Sequence, residues 1–563
     1  MKDKRNWALL ALPFIFLFVF YFLPIGNIAA ISIRQFNSGD YSNEMNWRLT
    51  TSAFNFTVFQ ATLSTVFTIL VGLPAAYLFG RYIFKCKDVL RIASTLPFIL
   101  PTVVVAAGFN ALIGPKGWIN IILIRVLGLS AAPINILNTL PAILLAHVFY
   151  NTSIIIRVVG AALAQVDRRF EDAARTLGAS SWGAFRKITL PILFPSIISA
   201  VLLVFLFDFT SFGVILMMGG PKFTTLEVEI YIQTMQFLNL PLSGILSFIQ
   251  LTFTMLVTFF LMRIDKSGFS IPIMPRLQAE GMQRPRLIWE KVLCGLVTTV
   301  LLLLLVAPVA ALVLRSILAA DLNSTEFLGQ GQVISLRNFQ ELFNNRRQSY
   351  FYVPPIQAIW NSLQYGFFSS LISLILGFLL AYGLRQDRKE NRAVELLMML
   401  PLGTSAVTLG LGFFTFFSQG VGSARWFPFL IPAAHSLISL PYVLRIIQPV
   451  LNSIPVNLRW AAGTLGASPR DIVRYIDLPI IWRSLMTAAL YAFTISLGEF
   501  GATSFLSRPD LPTMPIAVYR YLNLPGASNY GQAMAMAVII LMVCVVSMFA
   551  LDRLQFQAIK DSK

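Results

Sequence analysis

Charge is what this 563-residue chain has least of. Only 12% of its residues are Asp, Glu, Lys or Arg, whereas 56% are hydrophobic and 13% are aromatic. Soluble domains carry roughly twice that share of charge, and they can hide less apolar surface. The composition therefore excludes an ordinary soluble protein and predicts a chain embedded in a lipid bilayer.

Cysteine and histidine are also scarce. The three cysteines, Cys86, Cys294 and Cys544, are far apart in the sequence, which excludes a disulfide framework and favours packing roles. The two histidines, His147 and His435, lie in different halves of the chain, so they do not form the side-chain cluster that a membrane-embedded enzyme needs. We expect no catalytic residue and no metal site.

A phosphate-binding loop is missing as well. No G-x-x-x-x-G-K-[ST] occurs, and no glycine is followed directly by lysine, so the chain lacks the loop that cradles nucleotide phosphates in an ATPase. The net charge of +18 resides in short loops beside apolar runs, which is not the pattern of a nucleic-acid binder. No nucleic-acid partner is expected.

Long apolar runs dominate what is present. A helix crosses the roughly 30 Å hydrocarbon layer with about 20 residues, and runs of this length recur along the chain. The predicted spans are 7–33, 54–80, 92–114, 137–160, 190–217, 243–263, 292–316, 358–384, 394–418, 428–450, 478–507 and 530–552. Lysine and arginine collect on one side of these spans, so the positive-inside rule predicts that both termini are cytoplasmic.

The two halves of the chain repeat each other. Ala146-His147 recurs as Ala434-His435, and TLGAS at 176–180 recurs at 464–468, at one offset of 288 residues. A register held over more than 80 positions indicates a duplicated six-helix unit. The predicted domains are a first six-helix unit at 1–264, a cytoplasmic linker at 265–290 and a second six-helix unit at 291–563.

One polar segment in each half carries the clearest motif. The sequences are EDAARTLGASSWGAFRKITLP at 171–191 and RWAAGTLGASPRDIVRYIDLP at 459–479, which we call the first and second coupling segments. Each predicts a short helix through two alanines, a break at glycine and a second short helix before Leu-Pro. An amphipathic helix at the membrane surface would be the plainer interpretation, but two copies with equal spacing disfavour it.

This pattern resembles the EAA loop of ABC importer permeases, in which an acidic residue and two alanines precede a glycine and a later Ile-x-Leu-Pro. The resemblance implies that each segment docks into an ATPase subunit and couples it to the membrane helices. The ATPase-coupling residues would be Asp172, Ala173, Ala174, Gly178 and Pro191, with Trp460, Ala461, Ala462, Gly466 and Pro479 in the second copy. Trp460 departs from the pattern, because the family has an acidic residue there.

Two acidic residues lie within apolar spans. Asp208 and Glu499 would be costly in lipid, and such residues face either a transport pathway or partners in neighbouring helices. Both interpretations stay open. With Ser211, Phe212 and Phe500 they form the candidate substrate pathway, where aromatic rings could attract a cation.

The stretches FTSFGVILMMGGPKFTTLEVEIYIQ at 209–233 and SLGEFGATSFLSRPDLPTMPIAVYRYL at 496–522 are similar to the fused permeases for thiamine and, more loosely, for ferric iron. The resemblance implies an all-α, type I ABC importer permease of about twelve transmembrane helices in two homologous halves. A thiamine-like cation is the favoured solute and ferric iron the alternative. An ion-coupled secondary transporter is the rival from another class.

The same resemblance implies the partners and the location. We expect two ATP-binding cassette ATPase subunits, an extracytoplasmic solute-binding protein and the lipid bilayer of a bacterial plasma (inner) membrane. This chain would bind no cofactor itself, and ATP with Mg would be bound by the ATPase subunits.

Overall fold

The computed structural model describes residues 7–38, 44–264, 283–285, 287–318, 335–344, 353–385, 389–418 and 423–560. Within these ranges the secondary structure is helical, and extended pairing is confined to an isolated bridge between Tyr82 and Gln283. Short π-helical turns occupy Phe18–Phe22, Phe185–Thr189 and Val473–Asp477, and 3-10 turns occupy Glu341–Phe343 and Leu400–Gly403.

The α-helices before the predicted linker are α1 (Trp7–Leu17), α2 (Leu23–Ser38), α3 (Glu44–Arg81), α4 (Lys87–Ala93), α5 (Leu96–Ile99), α6 (Thr102–Ile113), α7 (Trp118–Leu127), α8 (Leu140–Gln165), α9 (Arg169–Thr176), α10 (Ser181–Ala184), α11 (Leu190–Phe209), α12 (Gly213–Met218), α13 (Leu226–Met235) and α14 (Leu240–Ile264).

Those after it are α15 (Ile288–Leu305), α16 (Ala307–Ser316), α17 (Arg337–Gln340), α18 (Pro355–Gly383), α19 (Lys389–Met399), α20 (Ala406–Phe417), α21 (Ser423–Ser453), α22 (Val456–Thr464), α23 (Pro469–Ile472), α24 (Leu478–Gly498), α25 (Gly501–Leu506), α26 (Met514–Asn523) and α27 (Ala527–Lys560).

The observed helices confirm the prediction of an all-α membrane protein. Among the described residues, eleven helical stretches are long and apolar enough to cross a membrane, and a pair bent by 96°, Val394–Gly403 with Ala406–Phe417, makes a twelfth if it is one span. The third span lies at Thr102–Leu127 rather than at 92–114. The reason is local, because Leu100 and Pro101 are extended and end the preceding short helix.

The first compact unit contains residues 1–41, 230–251 and 316–563. In this unit the N-terminal helices pack against helices of the second sequence half. Leu10 of α1 lies against Gly383 at the end of α18, where an added Cβ would come within 2.5 Å of the leucine side chain. The Tyr21 hydroxyl is 2.7 Å from the Thr404 hydroxyl, and both are buried. Gly383 is therefore needed for the close packing of α1 against α18, because a side chain there would collide with Leu10.

The second compact unit contains residues 42–229 and 252–315. Here α15 and α16, which open the second sequence half, pack against helices of the first. A Cβ at Gly108 would meet the Pro308 carbonyl oxygen at 2.9 Å, and the Trp118 indole N–H donates to the Ala311 carbonyl at 3.3 Å. In each unit the first span of one sequence half thus covers the core of the other half.

The compact units follow these exchanged spans and do not coincide with the sequence halves. The proposed division into units at 1–264 and 291–563 describes the duplication and stays a prediction, and most of the proposed linker lies outside the described residues.

Helices α3, α8 and α11 form a close-packed group in the second unit. A Cβ at Gly72 of α3 would come within 2.7 Å of Ile155 of α8, and Ile155, Val204 and Ala76 are fully buried in one apolar cluster. The first coupling segment connects α8 to α11, so this cluster sets where it begins and ends. Helices α18, α21 and α24 are the corresponding group in the first unit.

Candidate functional site

The first coupling segment turns sharply after α9. The N–H of Gly178 donates to the Arg175 carbonyl at 3.0 Å, and the N–H of Ala179 donates to the Ala174 carbonyl at 3.0 Å. These two bonds form a Schellman motif, whose left-handed position favours glycine. Gly178 has φ of +90°, and among the described residues no atom would crowd a Cβ there. Glycine is therefore favoured at position 178 by the left-handed backbone conformation and not by a lack of room for a side chain.

The second coupling segment repeats the same turn after α22. Gly466 has φ of +86°, its N–H donates to the Gly463 carbonyl at 3.1 Å, and the N–H of Ala467 donates to the Ala462 carbonyl at 3.0 Å. Two copies of one local geometry explain why TLGAS recurs unchanged in the sequence.

A serine follows each turn and begins the next short helix. The Ser180 hydroxyl accepts from the Gly183 N–H at 3.0 Å. The Ser468 hydroxyl accepts from the Asp471 N–H at 3.3 Å, while the Asp471 carboxylate accepts from the Ser468 N–H at 3.0 Å. Such caps satisfy the first N–H groups of a helix. The backbone then passes through a π-helical turn, which leads into α11 after the first segment and into α24 after the second.

The tip of each coupling segment is apolar and exposed. Leu177 is 89% exposed and Leu465 is 88% exposed, and the two are 288 residues apart. They immediately precede the left-handed glycines, at the point where each segment turns. The segments also expose aromatic side chains, with Trp182 and Trp460 each 69% exposed. Sequence reasoning missed the two leucines, although they are part of the TLGAS repeat.

The ten predicted coupling residues lie along both segments, with Pro191 and Pro479 at the start of α11 and α24. Eight of them are exposed, and the two that are half-buried are the equivalent alanines Ala174 and Ala462. Asp172 is 3.9 Å from Arg175 one turn along α9, and both side chains are largely exposed. Trp460, which replaces the acidic residue in the second copy, is 69% exposed. The two segments thus present the same backbone with different side-chain chemistry.

Asp208 is fully buried at the end of α11. Its Oδ1 accepts from the Asn151 side-chain amide at 2.6 Å and lies 3.3 Å from Nδ1 of His147. The other ring nitrogen, Nε2, is 2.8 Å from the Ser211 hydroxyl. A polar chain therefore connects half-buried Ser211 to buried Asp208 through the histidine.

Glu499 in the other half interacts with the N-terminus of α25. Its carboxylate accepts from the backbone N–H groups of Ala502 at 2.7 Å and Thr503 at 3.0 Å, so it caps α25, where a negative charge is favourable. Nε2 of His435 is 3.1 Å from this carboxylate, and Nδ1 is 2.7 Å from the Ser496 hydroxyl.

The acid and the serine have exchanged places between the halves. Asp208 is equivalent to Ser496, and Ser211 is equivalent to Glu499, at the same offset of 288 residues. The acid therefore faces Nδ1 of the histidine in one half and Nε2 in the other. In each half, one histidine thus lies between an acid and a serine, but the acid and the serine are on opposite sides of the ring in the two halves.

The remaining predicted pathway residues are the equivalent phenylalanines Phe212 and Phe500. Both are buried, and the Phe500 ring is 5.6 Å from the Tyr519 ring. Of the five predicted pathway residues, only Ser211 is more than slightly exposed. Among the described residues, no three His, Cys, Asp or Glu side chains are grouped as metal ligands.

The end of α3 next to the first coupling segment is fixed by polar contacts. The Lys87 ammonium donates to the carbonyls of Phe79 at 2.9 Å and Tyr82 at 2.7 Å. Burial, with the nearby Arg91 charge, lowers the pKa of Lys87 to about 8. The Tyr82 hydroxyl donates to Glu290 at 3.0 Å, and burial raises the pKa of Tyr82.

The model of the binding-protein-dependent transport system inner membrane component matches twice, at residues 68–267 and 373–561. The chain belongs to this family. The two matches cover one coupling segment each, so the duplication inferred from the 288-residue offset is a duplication of the family's unit.

Two of the relatives match nearly the whole chain, and a third matches part of it. The thiamine transport system permease protein ThiP of Escherichia coli (strain K12) is 24% identical over 90% of this chain and 89% of its own length. The protein of the same name from Brucella suis biovar 1 is 26% identical over 90% and 87%. A putative 2-aminoethylphosphonate transport system permease protein, PhnV, of Salmonella typhimurium is 28% identical, over 35% of this chain.

These findings confirm the main predictions. The chain is a multi-pass inner membrane protein and the permease subunit of an ABC importer, not an enzyme. Its family works with a solute-binding protein and with ATPase partners. The ion-coupled secondary transporter is thereby set aside.

Proposed function

We propose that this chain is the permease subunit of an importer that two ATPase subunits drive, one at each coupling segment. The observation that carries the proposal is the pair of exposed tips, Leu177 and Leu465, on identical Schellman turns. Two equivalent docking surfaces on one chain match two ATPase subunits, and each ATPase would bind the ATP and Mg that this chain has no loop to hold.

We propose that both coupling segments and both termini face the cytoplasm. The support is the distribution of basic residues: the first coupling segment contains Arg175, Arg186 and Lys187, and the second contains Arg470 and Arg474. Loops rich in lysine and arginine remain on the cytoplasmic side of bacterial membranes. The solute-binding protein would then dock on the opposite side.

For the solute we propose thiamine or a closely related organic cation. The relatives that match nearly the whole chain are named as thiamine permeases, and a fixed positive charge is favoured by carboxylates and aromatic rings. The proposed pathway residues are Asp208, Ser211 and Phe212 in one unit and Glu499 and Phe500 in the other. Ser211 is half-buried, whereas the other four residues are buried.

Transport by the reconstituted complex tests this proposal. The chain is placed in liposomes with its ATPase and binding protein, and ATP-dependent uptake of labelled thiamine is measured against ferric iron. Thiamine uptake that needs ATP supports the proposal. Uptake of ferric iron instead would refute the thiamine assignment while keeping the importer.

Asp208→Asn and Glu499→Gln then probe the pathway, with Ser211→Ala as a third variant that removes no charge. If all three variants transport thiamine like the wild type, these residues do not border the pathway.

A further inference from the structure

The base of each coupling segment contains a largely buried polar cluster that the motif does not explain. In the first segment, Glu171 accepts from the Arg81 guanidinium at 2.5 Å and from the Thr189 hydroxyl. In the second, Asp477 accepts from Arg459 at 2.7 Å and lies 3.7 Å from Arg385. Each cluster lies in its own compact unit.

The two clusters occupy equivalent positions in the chain. Glu171 is equivalent to Arg459 and Thr189 to Asp477, both at the 288-residue offset. Each pair joins the first helix of a coupling segment to the π-helical turn that enters the next membrane span. The two joined residues are 18 positions apart in both halves.

The carboxylate occupies different positions in the two halves. The coupling helix contributes the carboxylate Glu171 in the first half and the guanidinium Arg459 in the second. The turn contributes neutral Thr189 in the first half and the carboxylate Asp477 in the second. Because the charge of the side chain changes sign between Glu171 and Arg459, the two halves look unrelated at this position. The contact between the coupling helix and the turn is nevertheless present in both halves.

A third helix joins each cluster. Arg81 is the last residue of α3 and is 4% exposed, while Arg385 follows the end of α18. The Tyr382 hydroxyl of α18 also donates to Asp477 at 3.1 Å. The coupling segment is therefore tied both across its own base and to a membrane helix other than the two it connects.

We propose that these clusters are clamps that make each coupling segment move as one body with its membrane helices, so that ATPase motion is transmitted and not absorbed. We call them the first clamp (Arg81, Glu171, Thr189) and the second clamp (Arg385, Arg459, Asp477). Asp477 is fully buried and Arg459 is 6% exposed. Buried charged hydrogen bonds resist separation because neither partner can turn to water.

The clamp residues position the coupling segment and do not touch the ATPase surface. The exposed tips at Leu177 and Leu465 lie at the other end of each segment, so a broken clamp should leave docking intact. The expected defect is uncoupling, in which ATP is hydrolysed and less solute is transported. The inference rests on the proposed function, because it assumes that an ATPase docks at the tips.

The different positions of the carboxylate in the two halves supply the test. Glu171→Arg places two guanidiniums together without a carboxylate, and Thr189→Asp places two carboxylates beside one guanidinium. The double variant Glu171→Arg/Thr189→Asp rebuilds in the first half the chemistry of the second clamp. Arg459→Glu/Asp477→Thr makes the reverse exchange, and Asp88→Asn, at an exposed acid of α4, is the control for loss of charge.

Three quantities are measured in the reconstituted complex with its ATPase and binding protein: ATPase bound per chain, ATP hydrolysis and uptake of labelled thiamine. Each single variant should bind ATPase like the wild type and lose about tenfold in uptake per ATP hydrolysed, as for one lost charged hydrogen bond. Each double variant should recover to within about threefold. Glu171→Gln, which removes the charge at constant volume, covers the case in which Glu171→Arg does not fold.

Wild-type uptake per ATP in Glu171→Arg or Glu171→Gln would overturn the clamp, and so would double variants no better than the worse single variant. In either case the wild-type chain still docks its ATPase, so the proposed function stands. A wild-type chain that binds no ATPase would overturn the proposed function together with the clamp.

Discussion

Truncating the two exposed leucines should weaken ATPase binding without weakening the chain itself. Leu177 and Leu465 are 89% and 88% exposed, so shortening them removes almost no contact within the protein. Exposed substitutions of this kind change stability by no more than about 0.5 kcal/mol. We therefore expect Leu177→Ala and Leu465→Ala to unfold at the temperature of the wild type.

The loss on binding follows from the area that a partner would cover. Leucine to alanine removes about three carbons, worth roughly 0.8 kcal/mol each when fully buried. Each substitution should then weaken ATPase binding by about 2 kcal/mol, or about thirtyfold. Because the two sites are independent and each binds its own ATPase subunit, a single substitution weakens one site only, and the double variant should weaken both sites by about thirtyfold.

The assay is equilibrium binding of the purified ATPase subunit to the detergent-solubilised chain. Val89→Ala is the matched control, since Val89 is 56% exposed on α4, outside both coupling segments. Binding by the double variant within twofold of the wild type would refute the docking surface, however well the turns match the family's motif.

Three further outcomes are expected. Gly178→Ala forces alanine into the left-handed region at a cost of about 1–2 kcal/mol, so ATPase binding should fall about tenfold while Gly183→Ala, at an ordinary φ in the next short helix, changes it less. Glu499→Gln should lower the melting temperature more than Asp208→Asn, because Glu499 accepts two N–H groups at a helix start; equal shifts would argue against the cap. The pKa of Lys87 is lowered to about 8 in the folded chain, so between about pH 8 and the ordinary lysine value of 10.5 the unfolded chain binds more protons than the folded one. The wild type should therefore gain stability relative to Lys87→Met as pH rises through this range. A difference in melting temperature that does not change with pH would contradict this.

The coupling segments could be predicted because their structure is local. A helix end, a left-handed glycine and a serine cap are all encoded within five residues, Thr176 to Ser180 and again Thr464 to Ser468, so the sequence pattern alone indicates the turn. The apolar spans are likewise predictable, since the bilayer sets their length.

The clamps were not predictable in the same way. Arg81 and Glu171 are 90 residues apart, and only the packing of α3 against the helices around the segment brings them together. The repeat even conceals the contact, because Glu171 aligns with an arginine. The exchanged first spans, such as α1 against α18, are equally invisible to periodicity, since an apolar helix surface does not specify which helix it meets.

Asp208 and Glu499 show what burial adds to sequence reasoning. Both stood out as acids in apolar spans, but only the structure shows that each lies within 3.3 Å of a histidine ring nitrogen and that the acid and serine exchange sides. Their place on the transport pathway stays a proposal.

The most direct test of the two-site docking is cross-linking in the assembled complex. A photoreactive maleimide is attached to Leu177→Cys or to Leu465→Cys, in a chain whose exposed Cys86 is replaced by serine. Both positions should cross-link to the ATPase subunit, and a chain labelled at both should capture two subunits. Cross-linking from neither position, or as efficiently from Val89→Cys as from the tips, would contradict docking at the coupling segments.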